Sequence, residues 1–514
     1  MTLLRCFAGL LFLKTCLHNT LIHTRYILIT IELLVNRLLL SIYTTLLLSA
    51  GLSVNAWAQT PPHMVEVQPA GGFHPEEVLV SLFAPKSDVF YTLNGNEPTR
   101  RSVRYTKPFK IKKTTVVRAV AYRSGAKSPV VSHTYFIDEP ESTIPVVAIS
   151  VPPHQLFNPD YGLFTEGVKA DSTHPSRFGS NYWSRREIAI NVELFEDNER
   201  EIFNSKTGFR VFGGVSRTFR QKSFSVSMDG TYGQELLEYP LFGKSGPEKF
   251  KHLVFRNSGS DWGKSHMRDA YMTSLVRDMD IETQRYRPVH MYINGKYWGI
   301  YNMREKVNRY FLDSYFALDR DSLDILEGRS MIKSGYRGNY LRLKRYVREH
   351  DLSIAENYAY INKRIDVDNF IDYYCAQIFF NNKDSGGNIK FWRSQNATSK
   401  WRWILYDTDF GFGLHDPKGY RDNSFEFFTE ANGPRYPNPP WTTFWLRNLL
   451  SNEEFKQKFV NRFQDHLNTT FDSERMIRHL YGMANIYEPE IDRHLKKWRL
   501  SKKRRDVHLG IMER

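Results

Sequence analysis

After residue 60 the chain reads as short runs in which apolar and polar residues alternate, and after residue 308 as longer runs with apolar residues three and four apart. The first pattern turns one face of a strand toward a core, and the second does the same for one side of a helix. Between 60 and 138 the runs "VLVSLFA", "VFYTL", "TTVVRAVAY" and "VVSHTYFI" are separated by turn residues, with Asn94-Gly95 the sharpest break. Strands that short, at that spacing, predict a small antiparallel β-sandwich.

"DEPESTIPV" (138–146) is a charged, Pro-containing connector, and the pattern changes behind it. Strand-like runs continue to about residue 305 in "REIAINVELFE", "GFRVFGG", "KSFSVSM", "KHLVFRN" and "VHMYINGKYWGIYNM". One helix interrupts them: in "HMRDAYMTSLVRDM", Met267, Ala270, Tyr271, Ser274 and Leu275 share one side. From there to about 500, "GYRGNYLRLKRYVREH", "DNFIDYYCAQIFFNN", "TTFWLRNLLSNEEFKQKFVNRFQDHLNTTF" and "ERMIRHLYGMANIYEPEIDRHLKKW" predict helices. The expected fold class is α+β. A small all-β sandwich over 60–138 precedes a domain over 145–500, with a β-rich lobe at about 145–305 and a helical lobe at about 306–500, the coarse order of a bilobal kinase-like fold.

At 514 residues the chain exceeds what one core normally organises, so more than one domain is expected. Its 41% hydrophobic and 25% charged residues are those of a globular protein and exclude a largely disordered one. A net charge of +15 favours anionic partners such as phosphates or envelope polymers. No helix-turn-helix, zinc-finger or aromatic-basic RNA motif accompanies that charge, so no specific nucleic acid is expected. Cys6, Cys16 and Cys375 form neither a disulfide framework nor a metal-ligand spacing. Cys375, inside "FIDYYCAQIFF", is expected to be a small buried apolar residue.

Residues 1–58 read as a leader. Arg37 precedes the apolar run "LLLSIYTTLLLSAGLSV", and Ala56-Trp57-Ala58 offers a signal-peptidase pattern before Gln59. Cleavage there would place the mature protein outside the cytoplasm, as a secreted, periplasmic or cell-surface protein; uncleaved, the segment would be a membrane anchor. The upstream apolar residues 4–34 are broken by Lys14, His18, His23 and Arg25, and read as a spurious extension rather than a membrane span.

Two stretches carry the candidate chemistry. In "FFNNKDSGGNIKFWR" (379–393) Asp384 and Asn388 bracket a glycine pair, and "WRWILYDTDFGFG" (401–413) is a strand ending on Asp407 with Asp409-Phe410-Gly411 behind it. Carboxylates and an amide oxygen on neighbouring loops form the hard-oxygen set that Mg²⁺ takes, with a non-catalytic Ca²⁺ site as the alternative. In "FRVFGGVSRTFRQKSFSVSM", Gly213-Gly214 lets the backbone approach a ligand and Ser216 adds a hydroxyl. Lys222, opening the next strand, is placed to reach phosphates. Phosphoryl transfer calls for such parts, since positioning and charge cancellation are most of its catalysis. Trp392, Trp401, Trp403, Trp441 and Trp445 have the spacing of core residues rather than of a sugar-stacking platform.

Taken in order, "FRVFGGVSRTFRQKSF", "FRNSGSDWGKSHMRDAYMTSLVRDM", "VHMYINGKYWGIYNMREKVN", "FFNNKDSGGNIKFWR" and "WRWILYDTDFGFG" make residues 145–500 resemble the spore coat protein H (CotH) kinase family, an atypical protein-kinase-like branch. The resemblance implies ATP, Mg²⁺ (or Mn²⁺) and a protein acceptor. It implies that Lys222 contacts the nucleotide phosphates beneath Gly213, Gly214 and Ser216, that Asp384 accepts or orients the acceptor's proton, and that Asn388 and Asp407 hold metal. Asp409 competes for that last role: the family pattern Trp-Asp-x-Asp aligns its first Asp with Asp407, and here Tyr406 stands where the Trp is usual. The strand "GIYNMREKV" is the implied hinge, with the backbone from Met303 to Glu305 the implied adenine contact, and Asp269 is the implied acidic partner of Lys222, with Arg268 beside it as an alternative phosphate ligand. The words "VFYTLNGNEPT", "YTKPFKI", "VVRAVAYRSGAKS" and "TYFI" resemble the C-terminal β domain of chitobiases and β-hexosaminidases, which implies an accessory unit with envelope glycan as its candidate ligand.

Three functions stay open on this reading. The first is a secreted or envelope-associated atypical kinase that transfers the γ-phosphoryl of Mg-ATP to a Ser or Thr hydroxyl of a protein. The second is a kinase-fold enzyme with other ATP-dependent transfer or ligation chemistry. The third is a non-catalytic adhesion or glycan-binding protein.

Overall fold

The structure, a computed structural model, describes residues 64–197, 199–434 and 436–513. The expected leader, with its cleavage after Ala58, lies outside the described residues. No helix among the described residues is long and apolar enough to cross a membrane. The described residues up to Tyr122 and from Lys127 onward belong to one compact unit.

The N-terminal module has a three-stranded sheet (Glu66–Gln68, Val78–Phe83, Phe109–Ile111) and a larger one centred on Asp88–Thr92, Thr115–Arg123 and Val131–Ile137. Alternation decides what is buried: Val80 and Leu82 are inside, while Leu79 and Phe83 between and beside them are exposed. Val80 and Leu82 of the small sheet share one core with Val89, Val117, Ala119 and Tyr135 of the large one.

Seven strands then close a barrel: β1 (Val146–Ser150), β2 (Ile188–Phe195), β3 (Glu201–Val211), β4 (Phe224–Ser227), β5 (His252–Arg256), β6 (Tyr286–Ile293) and β7 (Lys296–Glu305). Their order around the ring is β1-β2-β3-β4-β5-β7-β6, and the parallel pairing of β6 with β1 closes it. Inward-facing residues such as Val192, Phe209, Phe224, Phe255, Met291 and Met303 fill the interior. Phe224 sits between Phe209 and Phe255 at ring separations of 4.7 and 5.1 Å. Burying one such ring stabilises the barrel by about 2–3 kcal/mol. Because Leu253 and Phe255 of β5 face this core, Arg256 faces outward.

Helix α1 (Arg268–Leu275) follows β5 and has all its residues buried. Its polar side chains therefore need partners inside the protein, and Arg268 finds Asp261 at 3.2 Å. Further along, β8 (Leu323–Glu327), β9 (Lys390–Ser394) and β10 (Arg402–Leu405) form the middle of a five-stranded sheet. Helix α2 (Val367–Phe379) packs on β10, its N-terminus capped by the Asp366 carboxylate, which accepts from the Asn369 amide. Cys375 of α2 is buried, as are Trp392, Trp401, Trp403 and Trp445, while Trp441 is half-buried. Helix α3 (Ser473–Trp498) lies against β7 and α1. The connector is tied to it: the Thr143 amide and hydroxyl both donate to Glu490, at 2.6 and 2.7 Å.

Candidate active site

A cleft of about 1110 Å³ is lined by the loop behind β3, by outward-facing residues of β5, by residues 306–310 after β7, and by the loops that follow α2 and β10. Gly213, Gly214 and Ser216 form one part of its wall. Gly213 has a φ of +101°, and a Cβ there would lie 2.7 Å from the Ser216 hydroxyl, so the fold of this loop requires glycine. Arg217 pins the loop by donating to the Gly213 carbonyl at 2.6 Å and the Tyr182 carbonyl at 2.8 Å.

Asp384, Asn388, Asp407 and Asp409 line the same cleft. Asp384 ends the loop that leaves α2. Burial, and further the charge of Asp407, push its carboxyl up to about 6 against the restraining bonds of Tyr436 and Asn388. The Asn388 amide nitrogen donates to Asp384 Oδ2 at 3.1 Å and to the Asp407 carbonyl at 3.5 Å. Its carbonyl oxygen, the atom a cation would take, is outside those bonds. Asp407 sits at the end of β10 with a φ of +55°, a conformation that Asp tolerates better than most residues. Asp409, buried behind it, accepts from the Ser260 amide at 2.8 Å. Gly259 makes room for it, since a Cβ at that position would collide with Asp409 Oδ2. Burial and the neighbouring Asp407 raise the Asp409 carboxyl well above the usual carboxylate range.

Lys222 is not among the residues that line the cleft. Its ammonium donates to the Phe219 carbonyl at 2.7 Å and lies 4.3 Å from the centre of the Tyr182 ring, and burial lowers it to about 8. The reason is the two-residue period of an extended chain: Ser223, one position on, faces the cleft, so Lys222 faces away. The expected Lys222–Asp269 pair is accordingly replaced by another. Arg256, at the outward end of β5, donates to Asp269 at 3.0 Å, to Asp407 at 2.5 Å and to Asp409 at 3.4 Å. Asp269 also pairs with Arg304 and accepts from the Thr408 amide and hydroxyl at 2.8 and 2.9 Å. Burial alone would raise Asp269, but Arg304 and Arg256 hold it down at about 2. Arg268, the alternative phosphate ligand, turns instead to Asp261 and to the carbonyls of Gly411 and Phe412.

Met303 and Glu305 also lie off the cleft wall. Met303 is in the barrel core, and Glu305 is buried against the Arg285 amide at 2.8 Å and the Tyr315 hydroxyl. The wall at this place is made by residues 306–310, immediately behind them. Lys306, Arg309, Lys333 and Lys390 add positive charge around the acids. Lys390, on β9, is buried and lowered to about 8 by that burial and by Lys333.

Arg256 and Lys390 escaped the sequence reading, although a signal for the first was present. In "KHLVFRN", apolar Leu253 and Phe255 assign His252 and Arg256 to the opposite face, one short loop before the helix that carries Asp269.

Comparison with known families agrees with this architecture. The family described as CotH kinase protein matches residues 209–510, and the family described as Fn3 associated matches residues 80–135 of the N-terminal module. The chain belongs to the CotH kinase family and carries an N-terminal β module. None of the curated proteins compared with the chain matches it.

Proposed function

We propose that this chain is an extracytoplasmic atypical kinase that transfers the γ-phosphoryl group of Mg-ATP to a hydroxyl of a protein acceptor. The carrying observation is that Asp384, Asn388, Asp407 and Asp409, from two loops, meet the Gly213-Gly214-Ser216 loop across one cleft with basic residues around it. The barrel and the helical part on either side of the acids support a two-lobed, kinase-like reading of the domain.

The donor set fits a hard divalent ion. Asp407, Asp409 and the Asn388 amide oxygen are oxygen ligands of the type Mg²⁺ takes, and the raised Asp409 carboxyl is a buried acid that a nearby cation would help to ionise. When bound, Mg²⁺ would neutralise the charge of the triphosphate and leave the γ-phosphoryl group open to attack. The remaining steps belong to the protein. The loop at Gly213 and Ser216 offers backbone and hydroxyl donors to phosphate oxygens, while Lys390 and Lys306 supply the positive charge that Lys222 does not. Residues 306–310 receive the base. Asp384 orients the acceptor hydroxyl and takes its proton, its raised acidity range bringing it nearer to neutral pH. Arg256 fixes α1 to both metal-binding acids through Asp269, Asp407 and Asp409.

The leader-like residues before Gln59 support placement outside the cytoplasm. The test is incubation of the mature protein with γ-labelled and, separately, α-labelled ATP and Mg²⁺, beside Asp384→Ala and Asp407→Ala. Label from the γ position alone, lost in both variants, is the expected result. Label from the α position would replace this reading with AMP transfer, and absence of metal-dependent nucleotide binding would replace it with a purely adhesive role.

A further inference from the structure

Away from the cleft, the N-terminal module and the barrel meet at a group of three potential ligands. His133 comes from the module strand Val131–Ile137, Glu193 from β2 and Glu201 from β3, and each offers a ligand atom within 4.8 Å of the others. Glu193 is fully buried. Its two oxygens accept from the Thr134 amide at 2.7 Å and the Thr134 hydroxyl at 2.6 Å, so the residue next to His133 holds the carboxylate in place. Asn204 does the same for Glu201 at 3.2 Å while also donating to the Ser132 carbonyl at 3.1 Å.

What the group lacks is a positive charge. Among the described residues neither Glu193 nor Glu201 has an ion-pair partner, and Glu193 is buried with the exposed Glu201 beside it, so the pair calls for either a proton or a cation. The imidazole points to the cation. His133 Nδ1 is shielded from solvent and has no hydrogen-bond partner, so it is not bonded to either carboxylate through that atom. Two carboxylates and one imidazole, with a fourth position left to water, match a three-ligand zinc set, and small side-chain adjustments would bring the atoms to bonds of about 2.0–2.2 Å.

We propose that His133, Glu193 and Glu201 bind one divalent transition-metal ion of the Zn²⁺ type, which clasps the N-terminal module to the barrel. The site needs residues from both parts, so it forms only when the module is docked. It is independent of the nucleotide cleft and does not rest on the function proposed above.

The experiment uses the full mature chain carrying Asp407→Asn, which weakens the cleft's own metal binding, and measures Zn²⁺ retained after gel filtration and the visible absorption of added Co²⁺. One retained equivalent of Zn²⁺ and Co²⁺ bands typical of nitrogen and oxygen ligands are expected. Both should be lost when His133→Ala or Glu201→Gln is added. Glu201 is exposed, so Glu201→Gln leaves packing undisturbed, and circular dichroism verifies that the His133→Ala chain is folded. No retained equivalent in the parent, or an equivalent unchanged by Glu201→Gln, would overturn the proposal.

Discussion

The two walls of the cleft are built under different geometric rules. Asp384, Asn388, Asp407 and Asp409 stand on loops that leave α2 and β10, where the chain turns and several consecutive residues reach the same space. Ser223 and Arg256 stand on extended chain, where each residue faces away from its neighbours and a displacement of one position changes the side of the sheet. Lys222 shows what that means: adjacent to a cleft residue in sequence, its ammonium is spent on the Phe219 carbonyl and the Tyr182 ring. Loop acids can thus be located from a motif alone, but a strand base can be located only once the inward face is known.

The strongest test of the contrast is at the acids. Asp407→Asn or Asp384→Asn should each lower phosphoryl transfer by about a hundredfold or more while leaving the fold intact by circular dichroism; retention of most activity would separate that wall from the chemistry. Next comes the exchange of one base for another. Arg256→Met leaves Asp269, Asp407 and Asp409 without their shared guanidinium, and should cost about 3–5 kcal/mol in urea unfolding. Lys222→Met removes one hydrogen bond to a carbonyl, and should cost about 1 kcal/mol and change nucleotide affinity by no more than a few-fold. Equal losses in the two variants would erase the distinction between the walls.

A smaller effect should appear behind the cleft. Burial raises Glu305 from near 4.5 to about 7, so the unfolded chain releases this proton first. Stability should therefore fall as pH rises from about 4.5 to about 7, by up to about 3 kcal/mol, and Glu305→Gln should flatten that part of the profile of melting temperature against pH. A comparable change is expected for Gly259→Ala. A methyl group there meets Asp409 at a φ of +60°, and should cost about 1–3 kcal/mol together with weaker divalent-ion binding by calorimetry.

How far the sequence could be read follows the same division. Alternating runs located the strands of the barrel, and the apolar spacing in "HMRDAYMTSLVRDM" located α1 even though the polar residues of that helix are buried as well. The closure of the strands into a ring was not legible, since it depends on the parallel meeting of β1 and β6, some 140 residues apart. Asp269 was singled out only as the implied partner of Lys222, and its actual partners Arg256 and Arg304 lie on strands whose facing is a tertiary property. The side chains of Met303 and Glu305 stand off the cleft for a similar reason: the strand end is covered by Arg285 and Tyr315, and the chain reaches the cleft wall at residue 306.

The bond between Thr143 and Glu490 joins residues 347 positions apart. During synthesis the connector emerges long before its anchor, so the clasp can form only once the chain has been made as far as Glu490. Loss of the segment that carries Glu490 would therefore be felt at the entrance to the barrel, and a stop codon ahead of residue 490 would act as a lesion near Thr143.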